Sequence, residues 1–281
     1  MLKQRIITAV LLLLVLLPAV FYPVGEVFAV VAAMLIAAGA WEWARMNQVD
    51  MLRSCVAGVA CTLLCLLTWS SGFLYVPLKT LWALTGSMWV IVGVWLLYRG
   101  VGVWSQVPQS IRLVGGIFAL WAAWLAVAQA RLIGINFLFS VLVLVWAADI
   151  FAYFAGRALG GRIFSRKLAP TISPGKSWEG AFGGVIGVLA CAAAWRILDG
   201  SLDLGSASLY TRLASVNNGF MVLAVIFLAA MSVVGDLVES LFKRSAGVKD
   251  SSGLLPGHGG VLDRVDALLP ILPLAMMLGA Q

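Results

Sequence analysis

The sequence is short of charge. Only 11% of its 281 residues are Asp, Glu, Lys or Arg, whereas 62% are hydrophobic and the mean hydropathy is +1.02. Soluble proteins are about a quarter charged and about half apolar, so this chain has too few polar side chains to cover a surface in water. The shortage excludes a soluble enzyme and indicates an integral membrane protein.

Cysteine and histidine are scarce as well. The four cysteines lie in apolar segments and form no C-x-x-C pair, which disfavours a disulfide framework or a zinc site and favours ordinary packing. The single histidine, His258, lies in a glycine-rich loop, where a phosphate or orienting contact is a better interpretation than a metal ligand. We find no Ser-His-Asp or Cys-His set, no repeat and no nucleic-acid-binding motif, and we expect no nucleic-acid partner.

Long apolar segments fill most of the chain. Each has about the length that a helix needs to cross the hydrocarbon core, so they predict an all-α polytopic membrane protein with about nine transmembrane helices. The predicted spans are 6–22, 24–43, 51–70, 78–98, 111–129, 135–155, 181–198, 220–241 and 261–278. The last is the weakest, because it is short and contains Pro270 and Pro273.

The basic residues give these spans an orientation, because short cytoplasmic loops hold the excess of Lys and Arg. With the N-terminus inside, fifteen of the nineteen basic residues face the cytoplasm. The four external ones are Lys79, Arg131, Arg196 and Arg212. This asymmetry predicts a cytoplasmic N-terminus and an external, periplasmic C-terminus.

We divide the chain into an N-terminal transmembrane region, residues 1–110, and a C-terminal catalytic region, residues 111–281, with cytoplasmic motif loops at 156–180 and 242–264. The net charge of +7 fits adhesion to anionic lipid headgroups. It fits equally well the attraction of an anionic lipid or nucleotide substrate.

Acidic residues concentrate near the C-terminus, where residues 236–266 hold five of the twelve in the chain. Asp236, Ser240 and Lys243 have the spacing of one helical face, and Asp263 and Asp266 share a face at what we expect to be an exposed helix start. Two carboxylates converging from neighbouring helices suit Mg²⁺, which also leaves coordination positions open for substrate phosphates. The alternative is a set of salt bridges with the basic residues nearby.

The loop between these acidic pairs, residues 253–260, is rich in glycine. Glycine lets backbone N–H groups approach a phosphate closely, so Gly259 and Gly260, together with His258, are candidate phosphate contacts.

A second polar segment lies upstream, at residues 149–180. Asp149 stands in an apolar helix, where an acidic side chain is costly and indicates function. Its partner is either Lys176 or a cation-bound substrate, and the alternative is a structural pair with Arg157. Lys176 follows a Ser-Pro-Gly turn that either begins a helix or binds phosphate.

The pattern S-x-x-K-R-x₄-K-D-x-S-x₂-L-P-x-H-G-G-x₂-D-R-x-D over residues 240–266 closely resembles the signature of the phosphatidate cytidylyltransferases, also called CDP-diacylglycerol synthases. Residues 149–180 resemble that family's upstream region. One departure there is Ile150, where a small hydroxyl residue is expected. The first 110 residues match only as apolar spans.

The resemblance implies transfer of CMP from CTP to phosphatidic acid, giving CDP-diacylglycerol and pyrophosphate in phospholipid biosynthesis. It also implies Mg²⁺, a second, monovalent cation such as K⁺, a homodimer, and a bacterial inner-membrane location with a cytoplasmic active site. The implied metal ligands are Asp236 and Asp263, and the implied catalytic residues are Asp236, Lys243, Asp263 and Asp266. The implied substrate-binding residues are Asp149, Lys176, Ser240, Arg244, Lys249, His258, Gly259, Gly260 and Arg264.

Two other functions stay open on the residues alone. One is a cation-coupled transporter of an anionic solute with Asp149 and Asp236 as ion sites, which the missing inverted repeat disfavours. The other is a CTP-dependent lipid-alcohol kinase with a related nucleotide site.

Overall fold

The fold is a bundle of α-helices, known from a computed structural model that describes residues 2–280. Within that range there are twelve α-helices, one 3₁₀ turn at Phe73–Tyr75 and no β-strand. The helices are α1 (Leu2–Phe21), α2 (Gly25–Met46), α3 (Met51–Ser70), α4 (Lys79–Arg99), α5 (Val101–Trp104), α6 (Gln109–Ile133), α7 (Ile135–Leu159), α8 (Trp178–Ser201), α9 (Leu209–Val216), α10 (Asn218–Ser245), α11 (Leu262–Val265) and α12 (Leu268–Gly279).

Eight of the described helices are long and apolar enough to cross a membrane: α1, α2, α3, α4, α6, α7, α8 and α10. They coincide with the first eight predicted spans, and the prediction of an all-α membrane protein is confirmed. The ninth predicted span is divided between α11 and α12. Since α12 has 12 residues, it is about 18 Å long, less than the thickness of a hydrocarbon core. The count of nine and the orientation of the termini stay predictions.

Helix α12 lies inside the bundle. It contacts α4, α6, α7, α9 and α10, and Ile271 and Leu274 are fully buried. A Cβ atom placed on Gly235 of α10 would lie only 2.8 Å from the carbonyl oxygen of Asp266. The absence of a side chain at Gly235 therefore lets α10 and the start of α12 approach closely, which brings Asp236 and Asp266 into one region.

Helices α7 and α8 form the most extensive pair in the bundle. Small residues line their contact, and a Cβ atom on Gly184 would lie 2.8 Å from the carbonyl oxygen of Ala148. Ser177 caps α8 by accepting a hydrogen bond from the N–H of Gly180. This close packing fixes Asp149 on α7 relative to Lys176 in the turn that leads into α8.

Candidate active site

A buried carboxylate in α2 organises the glycine-rich loop. Glu42 is fully buried and lies within hydrogen-bond distance of four donors, on Ser251 and Ser252 before that loop and on Val261 and Leu262 after it. Ser252 Oγ and the N–H of Val261 lie 2.6 and 2.8 Å from Oε1, and Ser251 Oγ and the N–H of Leu262 lie 3.1 and 2.8 Å from Oε2. Both carboxylate oxygens are therefore used to hold the loop against the transmembrane bundle.

Asp263 binds the same loop from the other side. Its Oδ2 accepts from the N–H and the hydroxyl of Ser251, both at 2.9 Å, and from the N–H of Gly260 at 2.7 Å. Its Oδ1 lies 2.6 Å from Nζ of Lys243. Burial opposes ionisation of Asp263, but these hydrogen bonds outweigh it and lower the pKa of the carboxyl below its usual value. The side chain is 4% exposed, so the expectation of an exposed helix start was wrong.

Gly260 must be glycine for this arrangement. A Cβ atom there would lie 2.1 Å from Ser251 Oγ and 2.4 Å from Glu42 Oε1. Gly259, with a φ of 80°, has the left-handed backbone that glycine adopts without strain. The main role of these two glycines is therefore to allow the internal packing of the loop.

The tip of the loop contacts the beginning of the chain. Nε of Arg5 donates to the carbonyl of Gly257 at 3.0 Å, and the hydroxyl of Thr8 donates to the carbonyl of Pro256 at 2.9 Å. Helix α1 therefore helps α2 to hold the motif loop.

Lys243 lies between two carboxylates. Its Nζ is 2.5 Å from Glu239 Oε2 and 2.6 Å from Asp263 Oδ1, and its side chain is 14% exposed. Glu239 precedes it by one helical turn on α10. The ammonium group thus bridges two buried carboxyl groups under the loop.

Asp236, in contrast, faces an open cavity of about 410 Å³ between α7, α8 and α10. Its Oδ2 lies 2.5 Å from Nζ of Lys176, and its Oδ1 accepts from Ser240 Oγ at 3.3 Å. Asp149 lines the same cavity. The two polar segments of the sequence meet here, as expected for one site.

A third carboxyl group lies close by. Burial, followed by repulsion from the charge of Asp236 and more weakly from that of Asp149, raises the pKa of Asp266 to about 7. Asp149, Asp236 and Asp266 thus bring three carboxyl groups into one region. Within residues 2–280, however, no three His, Cys, Asp or Glu side chains are arranged to hold a metal ion.

Comparison with known proteins identifies the kind of enzyme that carries this site. A sequence profile described as the Cytidylyltransferase family matches residues 3–280. The chain belongs to the cytidylyltransferase family. It is 39% identical to a phosphatidate cytidylyltransferase of Pseudomonas aeruginosa, over 97% of this chain and 95% of that protein. It is 36% identical to one of Haemophilus influenzae, over 97% and 96%, and 29% identical to one of Staphylococcus epidermidis, over 99% of each.

The site residues predicted for this cytidylyltransferase fall into three groups. Around the cavity lie Asp149, Lys176, Asp236, Ser240 and Asp266. Under the loop lie Lys243, Asp263, Gly259 and Gly260. Exposed side chains belong to Arg244, Lys249 and Arg264. The two predicted metal ligands, Asp236 and Asp263, are each paired with a different lysine.

His258 and Arg244 border these groups. The buried Nδ1 of His258 makes no hydrogen bond within residues 2–280. Nε of Arg244 lies 3.4 Å from the carbonyl of Ile172, which connects the end of α10 to the turn that carries Lys176.

Sequence reasoning missed two residues that position the site. One is Glu42, an acidic residue in an apolar helix, which by itself is a signal of function or a buried partner. The other is Glu179, in the first turn of α8. Its Oε1 accepts from the N–H groups of Gly161, Ile163 and Phe164 at 2.9, 3.1 and 3.0 Å, so it fixes the loop that follows α7.

Proposed function

We propose that this cytidylyltransferase transfers CMP from CTP to phosphatidic acid and forms CDP-diacylglycerol and pyrophosphate. The observation that carries the proposal is the charge arrangement at the cavity, where Lys176 neutralises Asp236 beside two further carboxyl groups, within a bundle of membrane-spanning helices. The relatives of matching length bear the name of this activity.

The chemistry requires positioning and charge neutralisation rather than a strong base. The second pKa of a phosphate monoester is about 6, so phosphatidate is mostly dianionic at pH 7. One of its oxygens attacks the α-phosphorus of CTP and forms a new P–O bond. The bond from that phosphorus to the bridging oxygen breaks, and pyrophosphate leaves with the electron pair. The main obstacle is repulsion between two anions, which fixed cations reduce.

The basic residues supply these cations. Lys176 and Lys243 each lie against a carboxylate, and each is placed to move onto a phosphate when substrate arrives. Arg244 and Lys249 are exposed beside the loop and would meet the triphosphate first. The imidazole of His258 would complete the phosphate contacts.

The donor chemistry of the site fits Mg²⁺. The carboxyl groups offer only oxygen atoms, which this hard cation prefers, and those of Asp149, Asp236 and Asp266 lie in one region. Asp236 and Asp266 would hold the ion. Asp263 would contribute Oδ1 once Lys243 moves to a phosphate. When bound, the metal neutralises phosphate charge and stabilises the departing pyrophosphate.

We also propose that the enzyme lies in a bacterial inner membrane with this site toward the cytosol, where CTP is made. The apolar helices and the bacterial relatives support a membrane-bound enzyme, and the basic loops support the sidedness.

A labelling experiment tests the activity. Purified protein receives phosphatidic acid, a lipid alcohol such as diacylglycerol, and CTP labelled at either the α or the γ phosphate, and the lipid fraction is counted. We expect lipid label from α-labelled CTP only, in a reaction that stops when Mg²⁺ is chelated. Label from the γ position would indicate a kinase, and no label from either would contradict a CTP-dependent enzyme. Asp236→Asn, made in parallel, controls for a contaminating activity.

A further inference from the structure

The cavity has two cationic side chains in its lining, and they differ in their partners. Lys176 is ion-paired with Asp236. Arg157, at the last turn of α7, also lines the cavity but makes no ion pair within residues 2–280. Its positive charge is therefore not neutralised by the described protein and is available to an anion.

The direction of the Arg157 side chain is defined by one hydrogen bond. Its Nη1 donates to the phenol oxygen of Tyr153 at 2.9 Å, and Tyr153 stands one helical turn earlier on α7. The guanidinium group thus runs back along the helix toward Asp149, which lies about 12 Å away along the axis. A guanidinium has five N–H donors in a planar fork that suits phosphate, and the described residues occupy only one of them.

The helix face beside Arg157 is apolar and uncovered. Ile150 is 53% exposed and Phe154 is 63% exposed, and both stand on a helix that is apolar enough to span a membrane. Acyl chains of the bilayer are the natural neighbours of such a face. A lipid lying along it would bring its headgroup to the end of α7, where Arg157 stands.

We propose that Arg157, positioned by Tyr153, binds the phosphate of the lipid substrate at the cavity entrance while the acyl chains lie along Ile150 and Phe154. This inference rests on the proposed function. It divides the site by substrate: the lipid phosphate arrives from the Arg157 side, and the nucleotide triphosphate binds on the side of Lys243 and Arg244. The two anions then meet at Asp236 and Lys176.

The matched control is Arg162, which follows in the loop after α7. It is exposed and does not line the cavity. Arg157→Gln and Arg162→Gln remove the same charge from neighbouring surface, so nonspecific attraction of anionic lipid is reduced about equally in both. The two variants differ only in the proposed phosphate contact, which Arg157→Gln removes and Arg162→Gln leaves in place.

The experiment measures initial rates in mixed micelles, with the mole fraction of phosphatidate and the concentration of CTP varied separately. For Arg157→Gln we expect the KM for phosphatidate to rise at least tenfold and the KM for CTP to stay within twofold. Tyr153→Phe should raise the KM for phosphatidate about threefold, and Arg162→Gln should leave both constants near the wild-type values. Arg157→Lys keeps the charge without the planar fork, so its KM for phosphatidate should lie between those of wild type and Arg157→Gln. It replaces Arg157→Gln in the test if that variant does not fold.

Three results would overturn the inference. An unchanged KM for phosphatidate in Arg157→Gln would remove the residue from lipid binding, an equal rise in Arg162→Gln would reduce its role to surface charge, and a rise in the KM for CTP of the same size would assign it to the nucleotide. Failure of the proposed function is distinguishable, because wild-type protein would then transfer no α label to phosphatidate at all.

Discussion

Asp236 and Asp263 are both carboxylates paired with a lysine, yet their surroundings differ. Asp263 is 4% exposed and uses both oxygens, with three donors on Oδ2 and Lys243 on Oδ1. Asp236 is 30% exposed, faces the cavity, and is held by Lys176 and one long hydrogen bond from Ser240. The first carboxylate maintains the shape of the loop and has an oxygen free for another partner only if Lys243 moves, whereas the second is accessible to substrate already.

The comparison shows that two aspartates in one acidic segment, residues 236–266, need not have the same function. A buried carboxylate with all of its oxygens occupied stabilises the fold, since removing one partner of a buried pair leaves a charge unsatisfied. An accessible carboxylate with a replaceable partner can exchange that partner for a metal ion or for a substrate-bound cation. Substitutions at the two positions should therefore separate activity from stability.

The largest expected effect is that of Asp236→Asn. It should lower kcat/KM at least about 1,000-fold, or about 4 kcal/mol in transition-state stabilisation, with little change in the melting temperature. Asp263→Asn should also lose most activity but should destabilise the protein by about 3 kcal/mol, because Lys243 and the loop N–H groups lose a buried acceptor. Label transfer and thermal unfolding in detergent measure the two effects. Equal melting temperatures for the two variants would show that Asp263 does not stabilise the fold more than Asp236 does.

Glu42→Gln should have the next largest effect. The amide offers one acceptor oxygen in place of two and directs an NH₂ group at N–H donors, leaving buried groups unsatisfied. We expect kcat/KM to fall about 100-fold, equivalent to about 3 kcal/mol, and trypsin to cleave faster after Lys249. The control is Glu26→Gln on the same helix, where the carboxylate accepts from the exposed Tyr75 hydroxyl at 2.6 Å. Loss of activity in both variants would indicate general damage to α2.

Two serines give a finer test. Ser251 Oγ lies between Glu42 and Asp263, at 3.1 and 2.9 Å, and its single proton serves one of them at a time. Within residues 2–280 the hydroxyl of Ser240 makes one hydrogen bond, at 3.3 Å to Asp236. Ser251→Ala should therefore lower kcat/KM about tenfold and Ser240→Ala by about threefold or less. A larger loss of kcat/KM in Ser240→Ala than in Ser251→Ala would mean that activity depends more on the fixed geometry of the cavity than on that of the loop.

The last expected effect is on stability, and it is a dependence on pH that originates at Asp266. Its pKa rises from 3.8 to about 7 on folding, so ionisation is costlier in the folded state than in the unfolded state. The stability that this group contributes is full below pH 4 and is lost as the pH rises through about 7. Without added Mg²⁺, the melting temperature of wild type should fall more between pH 5 and pH 8 than that of Asp266→Asn, by about 3 °C for each kcal/mol. If the melting temperatures of wild type and Asp266→Asn fall equally with pH, Asp266 is not the source of the pH dependence.

The sequence predicted those parts of the structure that depend on local patterns. Each long apolar segment is sufficient to indicate a helix, and the spacing of Asp236 and Ser240 predicted their contact within one face of α10. The ninth segment was harder to interpret. Its two short helices and two prolines depend on burial by five neighbouring helices, which no local pattern records.

The pairing of charges was beyond sequence reasoning for a physical reason. Lys176 and Asp236 lie in different helical segments, and only the packing of α7, α8 and α10 decides that they meet. Glu42 lies more than 200 positions before its partners, in a region that resembled anonymous membrane spans. An acidic residue between two tryptophans was the available signal, but it did not indicate which loop the carboxylate would hold.

The contacts of Arg5, Thr8 and Glu42 with the motif loop have a consequence for biosynthesis. During translation α1 and α2 enter the membrane first, while the loop that they anchor is made more than 200 residues later. Until the residues that carry its four donors are made, the carboxylate of Glu42 is in contact with lipid, water or an insertion factor. The loop therefore takes its shape only after Leu262 has been made, so a chain truncated before that residue has no completed site.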